Sequence, residues 1–293
     1  MKLIKLITRK PVYIVLVIFL GLMLTYFNAE PSTEQIEYMD ISDGKLHVFY
    51  LDVGQGDSIF IKLPKGETML IDAGEEEYGE KVAETLRNFN TSKIDYLIAT
   101  HPHTDHIGGM EHIVNNFEIG KIYMTNAVTT TATFEDLLDT IKSKGLTIER
   151  AKSGVEILSD ENLNAHFVAP VAESYKELND YSAVIKLTYG ENSFVFTGDA
   201  EKKAEDLIRE NIKCDVLKIG HHGSSSSSTK NFLKKTEPKY AVISCGADNE
   251  YGHPHKQTLN RLNNSEVNIF RTDLQGTIEA ISDGYEITFK TQY

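Results

Sequence analysis

Directly after the apolar run YLIAT at residues 96–100 comes HPHTDH, which carries His101, His103, Asp105 and His106. Three imidazoles and a carboxylate at the end of a strand can fan into one crevice, a dense ligand supply for a borderline metal such as zinc. The alternate pair His101 and His103 can hold one ion, while Asp105 and His106 face the other way toward a second. A fold that uses this run must end a strand at a cleft and start a helix beyond it. Thr104 or Asp105 is then available to cap the helix in GGMEHIVNNF.

The rest of the chain supplies such strands. KLHVFYLDV, DSIFIKL and ETMLIDA are short apolar or alternating runs separated by GQG and PKG turns, which predicts three strands in a meander. Val82, Leu86 and Phe89 recur at helical spacing ahead of YLIAT. A second stretch repeats the plan with KIYM, a helix over FEDLLDTIKSK, strands near LTIER and NAHFVAP, and the pair AVIKLTY and SFVFTGD around the turn GEN. A helix from Glu201 to Arg209, the strand DVLKIGHH, a helix from Thr229 to Lys235, the strand YAVIS, a helix around Gln257 to Leu262 and the strands VNIFR, TIEAI and YEITFK complete the order. Such mixed order predicts an α/β fold with sheets packed face to face and helices outside, built from two halves of similar make-up as one domain over residues 45–293. SSSSS at 224–228 reads as a flexible loop. The lone His166, within a strand-like run, reads as a satisfied structural histidine.

Residues 1–10 carry Lys2, Lys5, Arg9 and Lys10 with no acid, and Pro11 to Phe27 carries no charged side chain. This pattern predicts a cytoplasmic basic leader over 1–10, a single transmembrane anchor or signal segment over 11–27 and a linker over 28–44. An anchor is favoured, because cleavage after Ala29 would put the bulky Phe27 where a small residue is wanted. The cations before the span, and Glu30, Glu34, Glu37 and Asp40 after it, place the body outside the cytoplasmic membrane. The net charge of −13 becomes −17 once the +4 of the first 29 residues is set aside. Such an acidic body repels polyphosphates unless metal ions compensate locally. Cys214 and Cys245 are too few for a disulfide framework and read as buried free thiols.

HxHxDH at a strand end, Asp72 in MLIDAG, Asp199 in FVFTGDAE and the histidine pair of LKIGHHGS together resemble the metallo-β-lactamase superfamily. The resemblance implies a four-layer αβ/βα sandwich with a dinuclear site between two central sheets. It implies two divalent ions, zinc before manganese, with Asp199 bridging them and Asp72 orienting a ligand or the loop. His221 is aligned with the final ligand, and His222 is the alternative. More narrowly, LDVGQGD, LIDAG, HPHTDHIGG, NDYSAVIKL, TGDAE, LKIGHHGS and YGHP, in this order over residues 46–290, resemble the hydrolase domain of ComEC-type competence proteins.

That narrower resemblance has consequences for the site. NDYSAV stands where many superfamily members supply a third histidine to the first ion, which leaves Asn179, Asp180 or Ser182 as substitutes and a looser first site. The VGQGD loop is expected to border the substrate through Gln55 and Asp57, although its glycines could simply make a hairpin turn. Asp105 belongs to the expected catalytic centre, and His253 is expected to give a leaving alkoxide its proton. The implied chemistry is attack by a hydroxide shared between two ions on a phosphodiester, in nucleic acid or in a wall polymer of the teichoic-acid or phosphorylcholine type. A metal-bearing but catalytically weak partner-binding domain is the alternative of a different class. The missing histidine argues against β-lactam cleavage. The multi-span channel of full-length ComEC-type proteins is not in this sequence, so DNA transport is not expected of it alone.

Overall fold

The computed structural model describes residues 43–293. The expected leader, the apolar span over 11–27 and nearly all of the linker lie outside the described residues. Among the described residues no helix is long and apolar enough to cross a membrane.

Strands β1 (Leu46–Tyr50), β2 (Ile59–Lys62) and β3 (Thr68–Ile71) form the expected antiparallel meander. From β3 onward the pairing becomes parallel through β4 (Lys93–Ala99), β5 (Glu118–Met124) and β6 (Ile148–Arg150). Helix α1 (Gly79–Asn88), the short pair α2 (Thr104–Ile107) and α3 (Met110–Asn116), and α4 (Ala132–Ser143) make the crossovers. The second sheet follows the same plan. β7 (Glu156–Ser159), β8 (Leu163–Ala169), β9 (Val184–Tyr189) and β10 (Asn192–Phe196) are antiparallel. β10, β11 (Val216–Lys218), β12 (Tyr240–Ile243) and β13 (Asn268–Arg271) are parallel. Helices α5 (Lys202–Leu207), α6 (Lys230–Thr236) and α7 (Lys256–Asn263) cross over between them, and a single turn, α8 (Thr272–Gln275), follows β13.

The two halves are not closed in sequence. The last strands, β14 (Ile278–Ser282) and β15 (Ile287–Thr291), return to the first sheet, where β14 pairs with β1, and the sheet orders are β15-β14-β1-β2-β3-β4-β5-β6 and β13-β12-β11-β10-β9-β8-β7.

Three apolar clusters separate four layers. Between the sheets lie Val48, Tyr50, Ile59, Ile61, Phe167, Phe194 and Phe196. The alternate residues Phe49, Leu51 and Phe60 point to the other face of the first sheet, under α1, α3 and α4. Val195, Leu217 and Ala241 do the same in the second sheet, under α5, α6 and α7. Strands buried on both faces read as continuous apolar runs, which is why they were legible. Helix α1 turns Val82, Ala83 and Leu86 inward, and Phe89 just beyond it packs on Phe49 with ring centroids 4.3 Å apart. Truncating Phe89 to alanine would cost roughly 3–5 kcal/mol.

Candidate metal centre and substrate crevice

The expected metal ligands lie at or beyond the carboxyl ends of β4, β10 and β11, each paired in parallel with a neighbour, where the loops of open α/β sheets form a crevice. Asp72 follows β3 with φ +57 and is fully buried. Its carboxylate accepts from Thr100 N at 2.8 Å, from Thr100 Oγ1 at 2.6 Å and from His106 Nδ1 at 2.8 Å. One side chain thereby fixes both ends of the loop that carries HPHTDH. The VGQGD segment closes the β1–β2 hairpin, with Leu51 N donating to Ser58 O at 2.9 Å, and also packs on this loop, with Asp57 N donating to Asp105 O at 3.1 Å. A Cβ on Gly56, at φ +152, would stand 2.4 Å from that same carbonyl oxygen, so only glycine allows the approach. Neither Thr104 nor Asp105 caps a helix: both lie inside α2, whose N-terminus has no side-chain cap.

Asp199, on the loop after β10, divides the surrounding histidines between its two oxygens. His106 Nε2 lies 3.3 Å and His222 Nε2 3.6 Å from Oδ1. His101 Nε2 lies 3.8 Å and His221 Nε2 3.7 Å from Oδ2. Asp105 Oδ2 approaches His222 Nε2 at 3.1 Å and His106 Nε2 at 3.8 Å, and His103 Nδ1 approaches His101 Nε2 at 2.9 Å. Asp105, His106, Asp199 and His222 bring one ligand atom each within 4.8 Å of one another. The histidine in this group is His222, the alternative, while His221 faces the other oxygen of Asp199. A turn at 220–223 gives both histidines positive φ, +52 and +53, so neighbouring residues that would otherwise diverge both line the crevice.

Of the residues expected to stand in for a third histidine, Ser182 and Asp180 are engaged elsewhere, and Asn179 keeps a buried Oδ1 without a hydrogen-bond partner. Ser182 Oγ accepts from Asp199 N at 3.0 Å and so fixes the backbone at Asp199. Asp180 turns away to accept from Ala204 N at 3.0 Å in α5. Asn179 Nδ2 lies 3.4 Å from Glu201 Oε1 and 3.3 Å from His221 Nδ1. The serine run is not a loose loop. Gly220 N donates to Ser228 Oγ, Ser225 N to His255 Nδ1 and Ser226 Oγ to Glu201 Oε1. These partners replace water, and Ser227 and Ser228 are fully buried.

Charge explains why such a cluster suits a cation. Burial opposes charge on His106 and His222, yet Asp199 and Asp105, with Asp72 beside His106 and Asp57 beside His222, win. They hold His106 well above the usual histidine range and push His222 up to about 10. Burial and the neighbouring His106 hold His101 well below that range. Burial would raise Asp199, but His106 and His222 hold it well below the carboxylate range. A divalent ion at this cluster would compete with protons for the same nitrogens. His106 Nε2 and Asp199 Oδ1 are buried and face each other without a hydrogen-bond partner. This orphaned pair, and a donor set of imidazole and carboxylate, fits a divalent metal.

The crevice over the cluster has a volume of about 380 Å³ and is lined by Gln55, Glu75, His103, Thr104, Asp105, Asp199, His221, His222, Tyr251 and His253. Gln55 Oε1 accepts from Gly246 N at 3.2 Å, which leaves its Nε2 to donate to His253 Nδ1 at 3.4 Å. Nε2 is then the protonated nitrogen of a neutral His253. Burial, followed by His222, His221 and His255, pushes the pKa of His253 down to about 4. At neutral pH this ring offers a neutral N–H toward the crevice, where YGHP was expected to place a proton donor.

Three contributors escaped the sequence reading. Thr100 links Asp72 to the loop. Glu201, two residues after Asp199, holds His221 Nδ1 at 3.2 Å. Lys218 is fully buried and pairs with Asp57 at 2.8 Å. Burial would raise Asp57, but Lys218 and then His222 hold it at about 2. A lysine within the apolar run DVLKIG was the visible sign of a buried partner. As expected, His166 lies outside the site, satisfied by Asn164 at 2.9 Å and Glu210 at 3.0 Å, and both cysteines are buried and free.

Comparison with known proteins agrees with this geometry. The chain is 33% identical over 261 residues to ComE operon protein 3 of Bacillus subtilis, a competence protein of the ComEC type; the match covers 81% of this chain and 33% of that protein. It is 26% identical over 214 residues to the endoribonuclease ysh-1 of Neurospora crassa, covering 64% of this chain and 24% of that one. The chain therefore spans about a third or less of the length of these relatives. Zinc-bound PqqB from Methylobacterium extorquens shares the fold, with a TM-score of 0.52 at 9% identity over 77% of this chain and 97% of that one. Residues 51–247 match the metallo-β-lactamase superfamily, and with two sheets, an HxHxDH loop and a His/Asp metal site at their carboxyl ends, the chain belongs to that superfamily of metal-dependent hydrolases.

Proposed function

We propose that this chain is a dinuclear metal-dependent phosphodiesterase, held by its N-terminal segment at the outer face of the cytoplasmic membrane. The observation that carries the reading is the division of ligands about Asp199, with one group of nitrogens facing each carboxylate oxygen. Asp105, His106, His222 and Asp199 Oδ1 would hold one ion, and His101, His103 and Asp199 Oδ2 the other. Bound there, a pair of divalent ions, zinc or manganese, supplies an activated water and positive charge toward phosphoryl oxygens. Asp72 keeps the proton of His106 on Nδ1, so Nε2 stays a lone pair. Ser244 O does the same for His222 through Nδ1 at 3.1 Å. Gln55 presents His253 as a neutral donor to a substrate oxygen, and Tyr251, stacked on His253 with centroids 5.7 Å apart, widens that wall.

Phosphodiester substrates are supported by the relatives, one of them an endoribonuclease. The body's charge of −17 and Glu75 in the crevice favour a short or wall-linked phosphodiester over a long polyanion gripped along its length. The test uses the full chain in detergent, stripped of metal and reloaded with zinc or manganese. It is offered a chromogenic phosphodiester, single- and double-stranded DNA, a phosphorylcholine ester and a β-lactam. Metal-dependent phosphodiester cleavage, abolished by Asp199→Ala, is expected. Turnover of the β-lactam alone, or cleavage indifferent to metal, refutes the reading.

A further inference from the structure

We infer that His221 is the third imidazole of the first metal site, tethered by Glu201, and so replaces the histidine that the NDYSAV segment does not supply. The inference rests on the dinuclear reading above. Without His221 the two clusters are unequal: His101, His103 and one oxygen of Asp199 on one side, against Asp105, His106, His222 and the other oxygen on the second. His221 Nε2 lies 3.7 Å from Asp199 Oδ2, the oxygen that His101 Nε2 approaches at 3.8 Å. It is therefore on the short side of the inventory.

Its other nitrogen is engaged as a ligand's would be. Nδ1 lies 3.2 Å from Glu201 Oε1, and Ser226 Oγ donates to that same oxygen at 2.9 Å. The Asn179 amide, 3.3 Å from the same Nδ1, can instead donate to Glu201 Oε1 at 3.4 Å; the carboxylate then accepts the Nδ1 proton and leaves Nε2 as a lone pair, the arrangement Asp72 imposes on His106.

The backbone supports the same role. Two successive non-glycine residues at positive φ are costly, on the order of 1 kcal/mol or more each. This turn is held open to that cost by His221 N donating to Gly198 O at 3.1 Å and Ser224 N donating to His221 O at 2.7 Å. The strain brings both imidazoles of His221-His222 to one crevice, one to each oxygen of Asp199. His222 is buried at the second cluster, whereas the His221 side chain keeps 25% of its exposure on the crevice wall, where packing gives a ring no reason to be.

The test counts bound ions. Full-length wild-type chain and variants in detergent are equilibrated with zinc by dialysis, and metal per chain is measured across free-zinc concentrations, with circular dichroism as a folding control. Wild type should bind two ions. His221→Ala and His101→Ala should each keep one ion and bind the other at least about tenfold more weakly. The double variant His101→Ala/His221→Ala should still keep one ion at wild-type affinity, because both residues serve the same site, while His221→Ala/His222→Ala should weaken both ions. Glu201→Ala, which leaves every ring in place, should weaken only one ion, by roughly 10- to 100-fold. Two ions at wild-type affinity in His221→Ala, or none in His101→Ala/His221→Ala, overturns the inference while the dinuclear reading stands. A wild-type chain that binds one ion overturns both.

Discussion

Replacing Asp72 by asparagine separates what this residue does for the metal from what it does for the fold. The backbone at Asp72 has φ +57, a conformation asparagine adopts readily, so the exchange adds no backbone strain and almost no change of shape. The hydrogen-bonding pattern does change. With the amide oxygen retained toward Thr100 N at 2.8 Å, the amide nitrogen takes the place of the oxygen that lies 2.8 Å from His106 Nδ1. A carboxylate can only accept, so it holds the proton of His106 on Nδ1; an amide nitrogen can only donate, so it moves that proton to Nε2. Nε2 is the atom 3.3 Å from Asp199 Oδ1, in the middle of the four-residue cluster. Loss of such a partner weakens metal binding by about 10- to 100-fold, which is about 1.4 to 2.8 kcal/mol. The metal-free protein should lose less. Burial already raises the pKa of Asp72 despite His106 and Thr100, so the neutral amide replaces a carboxylate whose charge was costly. Competition against a chromophoric chelator at pH 7 measures the first quantity, and thermal unfolding in excess chelator the second. Unchanged metal affinity, or a loss matched by equal destabilisation of the metal-free chain, refutes the tautomer argument.

Other substitutions probe the same framework. Lys218→Met should strand the buried carboxylate of Asp57 and cost about 3–5 kcal/mol in urea denaturation, with part of the loss recovered by adding Asp57→Asn; a pair of additive losses counts against the ion pair. Glu205, buried against α6, has its pKa raised from 4.5 to about 7 because burial outweighs its hydrogen bonds from Thr229. The folded state therefore holds that proton more tightly than the unfolded chain, so the contribution is full below pH 4.5 and lost as pH rises through 7. Glu205→Gln, which cannot ionise, should gain on wild type by up to about 3 kcal/mol between pH 4.5 and 8, and a pH-independent difference in denaturation midpoints rejects the shift. Gly56→Ala should push the VGQGD loop off the Asp105 carbonyl, cost about 1–3 kcal/mol and lower metal affinity with it; wild-type values of both would show that the loop yields freely.

The strands were legible because burial on both faces leaves little choice but apolar residues, and α1 was legible from Val82, Leu86 and Phe89. The return of β14 to pair with β1 was not, since Leu46 and Ser282 face each other across the whole domain and nothing in local periodicity names a distant partner. At the site, His101, His103, Asp105, His106 and Asp199 came from spacing and resemblance. The order of His221 and His222 did not, because it depends on two positive φ values that residue identity permits but does not announce. Ser224 to Ser228 misled through composition: serine is common in loops, but its hydroxyl serves equally well to satisfy buried groups such as Gly220 N. The protonation of His253 was not legible either, because burial and then three neighbouring histidines, all brought there by the fold, lower its pKa.

Both clusters draw ligands from both sheets. His101, His103, Asp105 and His106 come from the end of β4, Asp199 from the end of β10, and His221 and His222 from the end of β11. An ion in either cluster thus ties one sheet to the other. The apolar core continues to within a few residues of these ligands, through Ile71, Ile98 and Phe196, so the carboxylates stand on a floor of low polarity where charge interactions are strong and an unpaired charge is costly. The carboxylates raise the pKa values of His106 and His222 against burial, which offsets part of that cost, and a divalent ion would offset it too. Metal affinity and fold stability are therefore one linked quantity. The part-exposed members His103, Asp105 and His221 all line the same crevice.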